Sequence, residues 1–316
     1  MRVLTYADQS QRFFPFMIES CKRHGYRVDV VGWGLEWKGW KGRMRVVLDE
    51  ISRYDQDEIV AVVDSYDVLM LSSSELLERK FLEANTDLLI SVDDQRPVNR
   101  VKTLLLFGSC GFQSVNAGTY VGRVHAIRKM LSYLFSIMTD DGDDQVEMVK
   151  YCDRHLSYDA HAISTSKSHS EIKLDIDQRV FFVCIKDSVL LNFTCTRGHP
   201  EGDLYLSLGH NGIESSSRDP RDSSRFPSSR EKRPSVLHCA ANSDMTPILV
   251  CLGYLDSSSS TYRDLKREFM EERVARRRRE RYKIVLYCAQ FLAICLLVVY
   301  IAYFVRKSRS MRARRK

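Results

Sequence analysis

The sequence lacks several common signals, and each absence narrows what the chain can be. The N-terminus enters a strand-like segment directly after Met1 and Arg2, without the apolar core of a secretory signal peptide. The nine cysteines form no CxxC pair and follow no regular spacing, so their odd number and scatter favour reduced thiols. No basic patch is interleaved with aromatic residues, so we expect no nucleic-acid surface. What is left is 316 residues of mostly ordinary globular composition, enough for one domain of about 250 residues with appendages.

Positive charge is concentrated near the C-terminus, on both sides of an apolar run. The net charge is +7, yet residues 273–283 and 306–316 carry seven basic side chains each, so the remainder is acidic. Residues 284–305 contain Gln290 as their one strongly polar side chain, and a helix of this length spans about 30 Å of hydrocarbon. The sequence therefore predicts a transmembrane helix rather than a buried core helix, and a single-pass tail anchor. We expect the part of the chain before this helix to face the cytosol, although the equal basic flanks leave the orientation open.

Strand and helix patterns alternate over residues 1–254 and predict an α/β domain. The predicted strands are residues 2–7, 26–31, 59–64 and 88–92. The predicted helices are residues 11–23, 44–52 and 121–138, with a loop rich in glycine and tryptophan over 34–42. This order is typical of a doubly wound, Rossmann-like sheet.

Two polar segments interrupt or follow this pattern. Residues 212–234 are rich in Ser, Arg, Asp and Pro and contain no core-forming pattern, so we expect a flexible surface insertion within the domain. The composition of residues 255–283 predicts a polar, highly charged and largely helical stalk that leads to the apolar run. Residues 306–316 form a basic tail.

Two carboxylates, Asp64 and Asp67, follow directly on the most apolar predicted strand. Open α/β sheets bind ligands at the carboxyl ends of their strands, and hard oxygen ligands suit Mg²⁺ or Mn²⁺. Such an ion holds the diphosphate of a nucleotide-sugar in DxD-type glycosyltransferases. The alternative is a strand end with two solvated or helix-capping aspartates. His238 follows a strand-like segment, and imidazole suits Mn²⁺ better than Mg²⁺, although a lone histidine is usually not a ligand.

Three further segments carry side chains suited to a sugar-transfer site. Trp37 lies in a glycine-flanked loop and either stacks on a uracil ring or packs under its own loop. The segment around Asn116 and Gly118 either approaches a sugar closely or is a plain turn. The acidic segment that includes Asp143 and Asp144 either orients an acceptor hydroxyl or caps the following helix.

Taken in order, these segments resemble the N-terminal glycosyltransferase domain of the procollagen lysyl hydroxylase/glucosyltransferase family, over roughly residues 1–254. The most specific pieces are Asp64-Ser65-Tyr66-Asp67 within a valine-rich strand, and Val236-Leu237-His238 followed by Leu252-Gly253-Tyr254. The resemblance implies a GT-A-like fold, Mn²⁺ (or Mg²⁺), and UDP-glucose or UDP-galactose as donor. It also implies a hydroxyl-bearing acceptor, such as a collagen-like protein. Nothing in the sequence resembles the iron site of the hydroxylase half.

The resemblance also implies roles for individual residues. Asp64, Asp67 and His238 correspond to the metal ligands. Trp37 corresponds to the uridine pocket, Asn116 and Gly118 border the sugar, and Asp94 falls near an acidic position of the family. Asp143 and Asp144 correspond to residues near the donor sugar and the acceptor.

The loop after His238 departs from the family, because it lacks the tight glycines and the lysine that faces the phosphates. Arg43, Arg45 or an arginine of residues 218–233 would then have to neutralise the diphosphate. The sequence thus predicts a membrane-anchored, metal-dependent hexosyltransferase. The alternatives are a catalytically silent membrane-anchored scaffold, and a protein that acts through lipid or partner contacts of its basic segments.

Overall fold

A computed structural model describes residues 1–95, 97–156, 169–184, 193–194, 205–206, 234–240 and 243–275. The chain forms two compact units, Met1–Ser257 and Ser258–Lys316. In the second unit the described residues include a helix over 260–275, where the sequence predicts the stalk. The predicted apolar span 284–305, the basic tail and nearly all of the predicted insertion lie outside the described residues. Among the helices that are described, none has both the length and the apolar character needed to cross a membrane.

A mixed six-stranded sheet forms the centre of the first unit. Its strands are β1 (Arg2–Tyr6), β2 (Arg27–Val31), β3 (Ile59–Asp64), β5 (Thr86–Val92), β6 (Val115–Arg123) and β7 (Ser170–Leu174), in the spatial order β2-β1-β3-β6-β5-β7. β6 is antiparallel to both of its neighbours, whereas the other pairs are parallel. The amino end of β6 therefore lies at the same edge of the sheet as the carboxyl ends of β3 and β5.

Two smaller sheets complete the strands. The first contains β4 (Val68–Met70), β8 (Phe181–Val183) and β11 (Val236–His238), in the order β4-β11-β8. β11 is antiparallel to β4 and parallel to β8. The second is an antiparallel pair of β9 (Phe193–Thr194) and β10 (Tyr205–Leu206). The three-stranded sheet matters for function, because β4 follows shortly after β3 and β11 ends at His238.

Seven helices of the first unit have described bounds. They are α1 (Phe14–Arg23), α2 (Gly39–Ile51), α3 (Ser74–Ala84), α4 (Pro97–Phe107), α5 (Val124–Ile137), α6 (Asp144–His155) and α7 (Thr246–Cys251). The central strand β3 explains how the core is built. Val60 and Val62 belong to one apolar cluster, and Ala61 and Val63 belong to another. Since successive side chains of a strand point to opposite faces, β3 is buried on both sides, as its uninterrupted apolar run predicts.

The predicted α/β class is confirmed, with corrections at two element boundaries. Residues 121–123 belong to β6 and not to the following helix, because Val121 and Gly122 pair with both β3 and β5. Residues 39–42 begin α2 rather than ending a loop. In both places tertiary contacts override local sequence preference.

The prediction of reduced thiols is wrong for Cys110, Cys152 and Cys251, which are all disulfide-bonded. Cys110 and Cys152 pair with each other across 42 positions of the sequence. Cys110 lies three residues after the end of α4 and Cys152 lies on α6, so the bond joins the segment that follows α4 to α6. Scatter along the sequence carries little information about pairing, because folding decides which cysteines meet. Cys21, Cys184 and Cys239 are buried free thiols.

Candidate active site

The acidic pair and the histidine meet where the large and small sheets adjoin. β3 ends at Asp64 and β4 begins at Val68, so Asp67 lies in the short connection between two strands of different sheets. β11 pairs with β4 so that His238 lies opposite Val68. The backbone amide of Cys239 also donates to the carbonyl oxygen of Asp67 at 2.8 Å. Strand pairing therefore brings His238 to the acidic pair.

The three side chains point at one another. The Nε2 atom of His238 lies 3.6 Å from Oδ2 of Asp64 and 3.4 Å from Oδ1 of Asp67. One ligand atom from each residue can be chosen so that all lie within 4.8 Å of one another. Ligand atoms that surround one divalent ion at about 2.0 to 2.3 Å are separated by about 3 to 4 Å. The donor set and its spacing fit a single Mn²⁺ or Mg²⁺ ion.

Gly118 leaves the space that this cluster needs. A Cβ atom at this position would lie 2.3 Å from Cε1 of His238 and 2.6 Å from Oδ2 of Asp64. Both distances are shorter than any non-bonded carbon contact tolerates. Any side chain here would therefore push the imidazole or the carboxylate out of place. The glycine borders the three candidate ligands directly.

The cluster strongly attracts positive charge. Burial disfavours the charged form of His238, but the carboxylates of Asp67 and Asp64 outweigh burial and raise the pKa of this histidine to about 9. The guanidinium of Arg43, on α2, donates a short hydrogen bond to Oδ1 of Asp64. Burial opposes the charge of Arg43 as well, yet Asp64 and Asp144 raise its pKa. Two protein cations therefore neutralise the acidic pair.

A buried polar chain lies behind the histidine. Nδ1 of His238 lies 3.0 Å from Oδ1 of Asn116, and Nδ2 of Asn116 donates to Oδ1 of Asp93 at 2.9 Å. The other carboxylate oxygen of Asp93 accepts from Nε2 of Gln145 at 2.8 Å and from Oγ of Ser114 at 3.2 Å. The chain connects the carboxyl end of β5, the amino end of β6 and the first turn of α6.

Asp143 and Asp144 occupy different environments. The Asp143 carboxylate is the N-cap of α6 and accepts from the backbone amides of Gln145 and Val146. Asp144 faces the site. Burial, together with repulsion from Asp64 and Asp143, outweighs the attraction of Arg43 and raises the pKa of Asp144 to about 6. A carboxylate with this pKa is suited to accept a proton near neutral pH.

Aromatic side chains line the loop between β2 and α2. The ring of Trp37 meets Tyr6 edge-on at 5.8 Å and Trp40 at 5.2 Å between centroids, and it is 46% exposed. Gly32, with φ near +85°, lets the loop leave β2 against the ring of Tyr6, where a Cβ atom would lie 2.2 Å from that ring. Trp37 is thus held by edge contacts with Tyr6 and Trp40 and is partly exposed, so stacking on a uracil ring stays a prediction.

Two residues that the sequence did not single out, Asp93 and Gln145, take part in the network of the site, and one candidate, Arg45, lies away from it. Asp93 was not selected, while its neighbour Asp94 is buried and accepts from Asn99 of α4. Gln145 was missed because an amide at a helix start resembles capping. Arg45 pairs with Asp49 on the exposed side of α2 rather than with Asp64.

Comparison with known proteins agrees with this geometry. The model of the PLOD GT domain, a glycosyltransferase domain, matches residues 1–198. The chain is 27% identical over 167 residues to the rat multifunctional procollagen lysine hydroxylase and glycosyltransferase LH3, covering 46% of this chain and 21% of that protein. It is 24% identical over 163 residues to human procollagen-lysine,2-oxoglutarate 5-dioxygenase 2, covering 47% of this chain and 21% of that protein.

The mouse form of the same dioxygenase is 23% identical over 223 residues, which is 65% of this chain and 28% of that protein. The chain thus spans about a fifth to a quarter of the length of these curated relatives. The family model covers more than half of the chain, and the resemblance seen in the sequence is confirmed. The chain belongs to the PLOD GT domain family of glycosyltransferases.

Proposed function

We propose that this glycosyltransferase uses a divalent metal, Mn²⁺ or Mg²⁺, to transfer a hexose from UDP-glucose or UDP-galactose to a hydroxyl group. The observation that carries the proposal is the convergence of Asp64, Asp67 and His238 beside Gly118. The names of the relatives point to lysine-derived hydroxyls of procollagen as the acceptor class. A collagen-like protein is therefore the first acceptor to test.

Asp64, Asp67 and His238 would hold the ion, and their spacing and charge fit it. When bound, the ion supplies positive charge that stabilises the diphosphate as it leaves. Arg43 supplies further positive charge at the same place, since its guanidinium already lies on Asp64. This arginine replaces the lysine that the loop after His238 lacks. The partly exposed ring of Trp37 would stack on the uracil ring and so hold the donor in register.

Asp144 is the candidate for handling the acceptor proton. In the transfer, the bond between the anomeric carbon and the diphosphate oxygen breaks, and a bond to the acceptor oxygen forms. The proton of the acceptor hydroxyl moves to the Asp144 carboxylate, and UDP leaves with the bonding pair. The raised pKa of Asp144, about 6, makes this carboxylate a stronger base than an exposed aspartate. Asp143 holds the first turn of α6, and so Asp144, in place.

The decisive experiment measures UDP-sugar cleavage and transfer by the full chain. UDP-glucose and UDP-galactose are supplied separately, with Mn²⁺ or with a chelator, and with a hydroxylysine peptide as acceptor. We expect Mn²⁺-dependent turnover that Asp67→Ala reduces at least a hundredfold. Asp49→Ala is the matched control, because Asp49 is an exposed carboxylate on the far side of α2. Activity that survives both chelation and Asp67→Ala would contradict the proposal.

A catalytically silent scaffold remains the second candidate function, because the loop after His238 has lost the family's glycines and lysine. Calorimetry separates the two functions. If the chain is an enzyme, UDP should release or absorb heat on binding only when Mn²⁺ is present. If it is a scaffold that has lost its donor site, UDP should give no heat of binding with or without Mn²⁺.

We also propose that residues 284–305 anchor the chain in a membrane, which rests on their apolar composition and basic flanks. Orientation is a separate matter. The Cys110–Cys152 disulfide favours an oxidising lumen over the cytosol for the domain. Protease protection in sealed microsomes distinguishes the two orientations. Release of the chain by alkaline carbonate would refute the anchor.

A further inference from the structure

We propose that Asp93 is a positioning residue for both halves of the active site. Through Asn116 it sets the tautomer and orientation of His238, and through Gln145 it holds the first turn of α6 where Asp144 faces the site. This inference deepens the proposed function. We call the contact through Asn116 to His238 the histidine arm and the contact through Gln145 to α6 the helix arm; the effect of the histidine arm on metal binding rests on the proposed function.

The orientation of the Asn116 side chain follows from its partners. Nδ2 lies 2.9 Å from Oδ1 of Asp93, so the amide donates to the carboxylate there. Its Oδ1 atom accepts from the backbone amide of Gly118 at 3.0 Å. A flipped amide would place its NH₂ group against another N–H and its oxygen against the carboxylate. The carboxylate of Asp93 thereby decides which end of Asn116 faces His238.

The same logic assigns the proton on the histidine ring. Oδ1 of Asn116 is an acceptor only, and it lies 3.0 Å from Nδ1 of His238. Nδ1 therefore carries the hydrogen, and the lone pair of the neutral ring lies on Nε2, which faces Asp64 and Asp67. Histidine ligands are commonly oriented through a hydrogen bond from the other ring nitrogen. Here an asparagine stands between the carboxylate and the imidazole.

The second arm of Asp93 reaches α6. Oδ2 of Asp93 accepts from Nε2 of Gln145 at 2.8 Å. Gln145 directly follows Asp144 in the first turn of α6, and the helix start is also capped by Asp143. The hydrogen bond therefore ties the helix terminus that carries Asp144 to the carboxyl end of β5.

The free-energy cost of burying the Asp93 carboxylate supports a specific role for this residue. The residue is only 2% exposed, and its carboxylate accepts from two side-chain amides and one hydroxyl. A buried carboxylate held by neutral donors is costly compared with an uncharged side chain. The sheet irregularity between Ile90 and Val92 precedes it and shifts the pairing with β6, because Ile90 pairs with Tyr120 but Val92 pairs with Val115. Asp93 thus lies at the point where β5 and β6 together face the site.

The first test measures Mn²⁺ affinity of the full chain by calorimetry. Removing a partner that orients a metal ligand typically weakens metal binding 10- to 100-fold, and we expect that loss for Asp93→Ala. Asp93→Asn keeps an acceptor oxygen for Asn116 and should stay within about threefold of wild type. Asp175→Asn is the matched control, because Asp175 is also buried but accepts from backbone amides of residues 179–181. It should leave Mn²⁺ affinity unchanged.

The second test reads the tautomer without metal. In chelated, ¹⁵N-histidine-labelled protein at pH 10, the His238 ring should carry its proton on Nδ1. Asn116→Leu, which has a similar volume and no acceptor, should shift the ring towards the Nε2–H tautomer. This measurement stands even if Asp93→Ala does not fold or wild type binds no Mn²⁺. If wild type binds no Mn²⁺, the proposed metal function is wrong, but the tautomer measurement still tests whether Asn116 orients His238.

The third test separates the two arms. Gln145→Ala should lower the transfer rate at least tenfold and leave Mn²⁺ affinity within threefold of wild type, because the histidine arm is intact. Folded Asp93→Ala protein that binds Mn²⁺ as tightly as wild type would overturn the histidine arm. An unchanged tautomer in Asn116→Leu would do the same. Wild-type turnover by Gln145→Ala would overturn the helix arm.

Discussion

Replacing Asp144 by asparagine should stabilise the fold at neutral pH while abolishing transfer. The Asp144 carboxyl lies among protein atoms, and burial is the main reason for its raised pKa, with Asp64 and Asp143 adding repulsion. At neutral pH the folded state must hold this group charged in an unfavourable place. Asparagine has nearly the same shape and carries no charge, so the variant avoids the cost.

The magnitude follows from the pKa. The folded value of about 6 exceeds the ordinary value of 3.8 by about two units, and each unit corresponds to about 1.4 kcal/mol, which gives about 3 kcal/mol. The side chain keeps partial contact with solvent, so water reduces this figure. We therefore expect Asp144→Asn to raise the free energy of unfolding by about 1 to 3 kcal/mol at pH 7.5.

The sign of the pH dependence is fixed by proton linkage. Below pH 3.8 both folded and unfolded states hold the proton, so wild type and variant differ little. Between about pH 4 and pH 6 the unfolded state loses its proton first, and the wild type loses stability as pH rises. Above about pH 6 the Asp144 carboxyl is ionised in both states, and the wild type loses no further stability through this group. The advantage of Asp144→Asn should therefore be near zero at pH 4 and full at pH 7.5.

This difference is measured by urea unfolding at both pH values, with a chelator present and with tryptophan fluorescence as the signal. Asp141→Asn is the matched control, because Asp141 is exposed in the same acidic turn and should change stability by less than about 0.5 kcal/mol. A variant that is less stable than wild type at pH 7.5, or an advantage of equal size at pH 4, would refute the reasoning.

Three further predictions concern other parts of the structure. Gly118→Ala should weaken Mn²⁺ binding at least tenfold by calorimetry, because the new methyl group collides with His238 and Asp64; wild-type affinity would contradict this geometry. Arg43→Ala should weaken UDP binding about tenfold, the size expected for a lost hydrogen bond to a charged group, and an unchanged Kd would remove Arg43 from the diphosphate site. Cys110→Ser should lower the free energy of unfolding by about 4 kcal/mol, the chain-entropy estimate for a loop closed across 42 positions. Equal stability of wild type with and without a reducing agent would argue that this disulfide contributes nothing.

The sequence predicted the strands best where local pattern and burial agree. The apolar run of β3 is buried on both faces, and its short length and valine content favour a strand over a helix. The prediction was poorer where strand pairing in the sheet competes with a helical spacing of apolar residues in the sequence. Residues 121–123 continue an apolar pattern with helical spacing, yet they pair with two neighbouring strands. Backbone hydrogen bonds to both neighbours decide this segment, and no local window contains them.

The same distinction applies to the candidate site. Asp64 and Asp67 could be selected because they follow a buried strand within four residues. Asp93 and Asp94 could not be told apart, since the alternation of side chains at the end of β5 depends on the irregularity near Ile90. Asp93 faces Asn116 and Gln145, whereas Asp94 faces α4. The disulfide was missed for a similar reason, because only the packing of α4 and α6 brings its cysteines together.

By itself the sequence determined the α/β class, the strand that carries the acidic pair and the family to which the chain belongs. These properties depend on side-chain period and short motifs, which are local in the chain. Only the tertiary structure decided that β6 runs antiparallel, that His238 lies opposite Val68, and that Asp93 supports both arms of the site. Asn116 and His238 are 122 positions apart. Contacts over such distances arise from strand register, which the packing of the whole core selects.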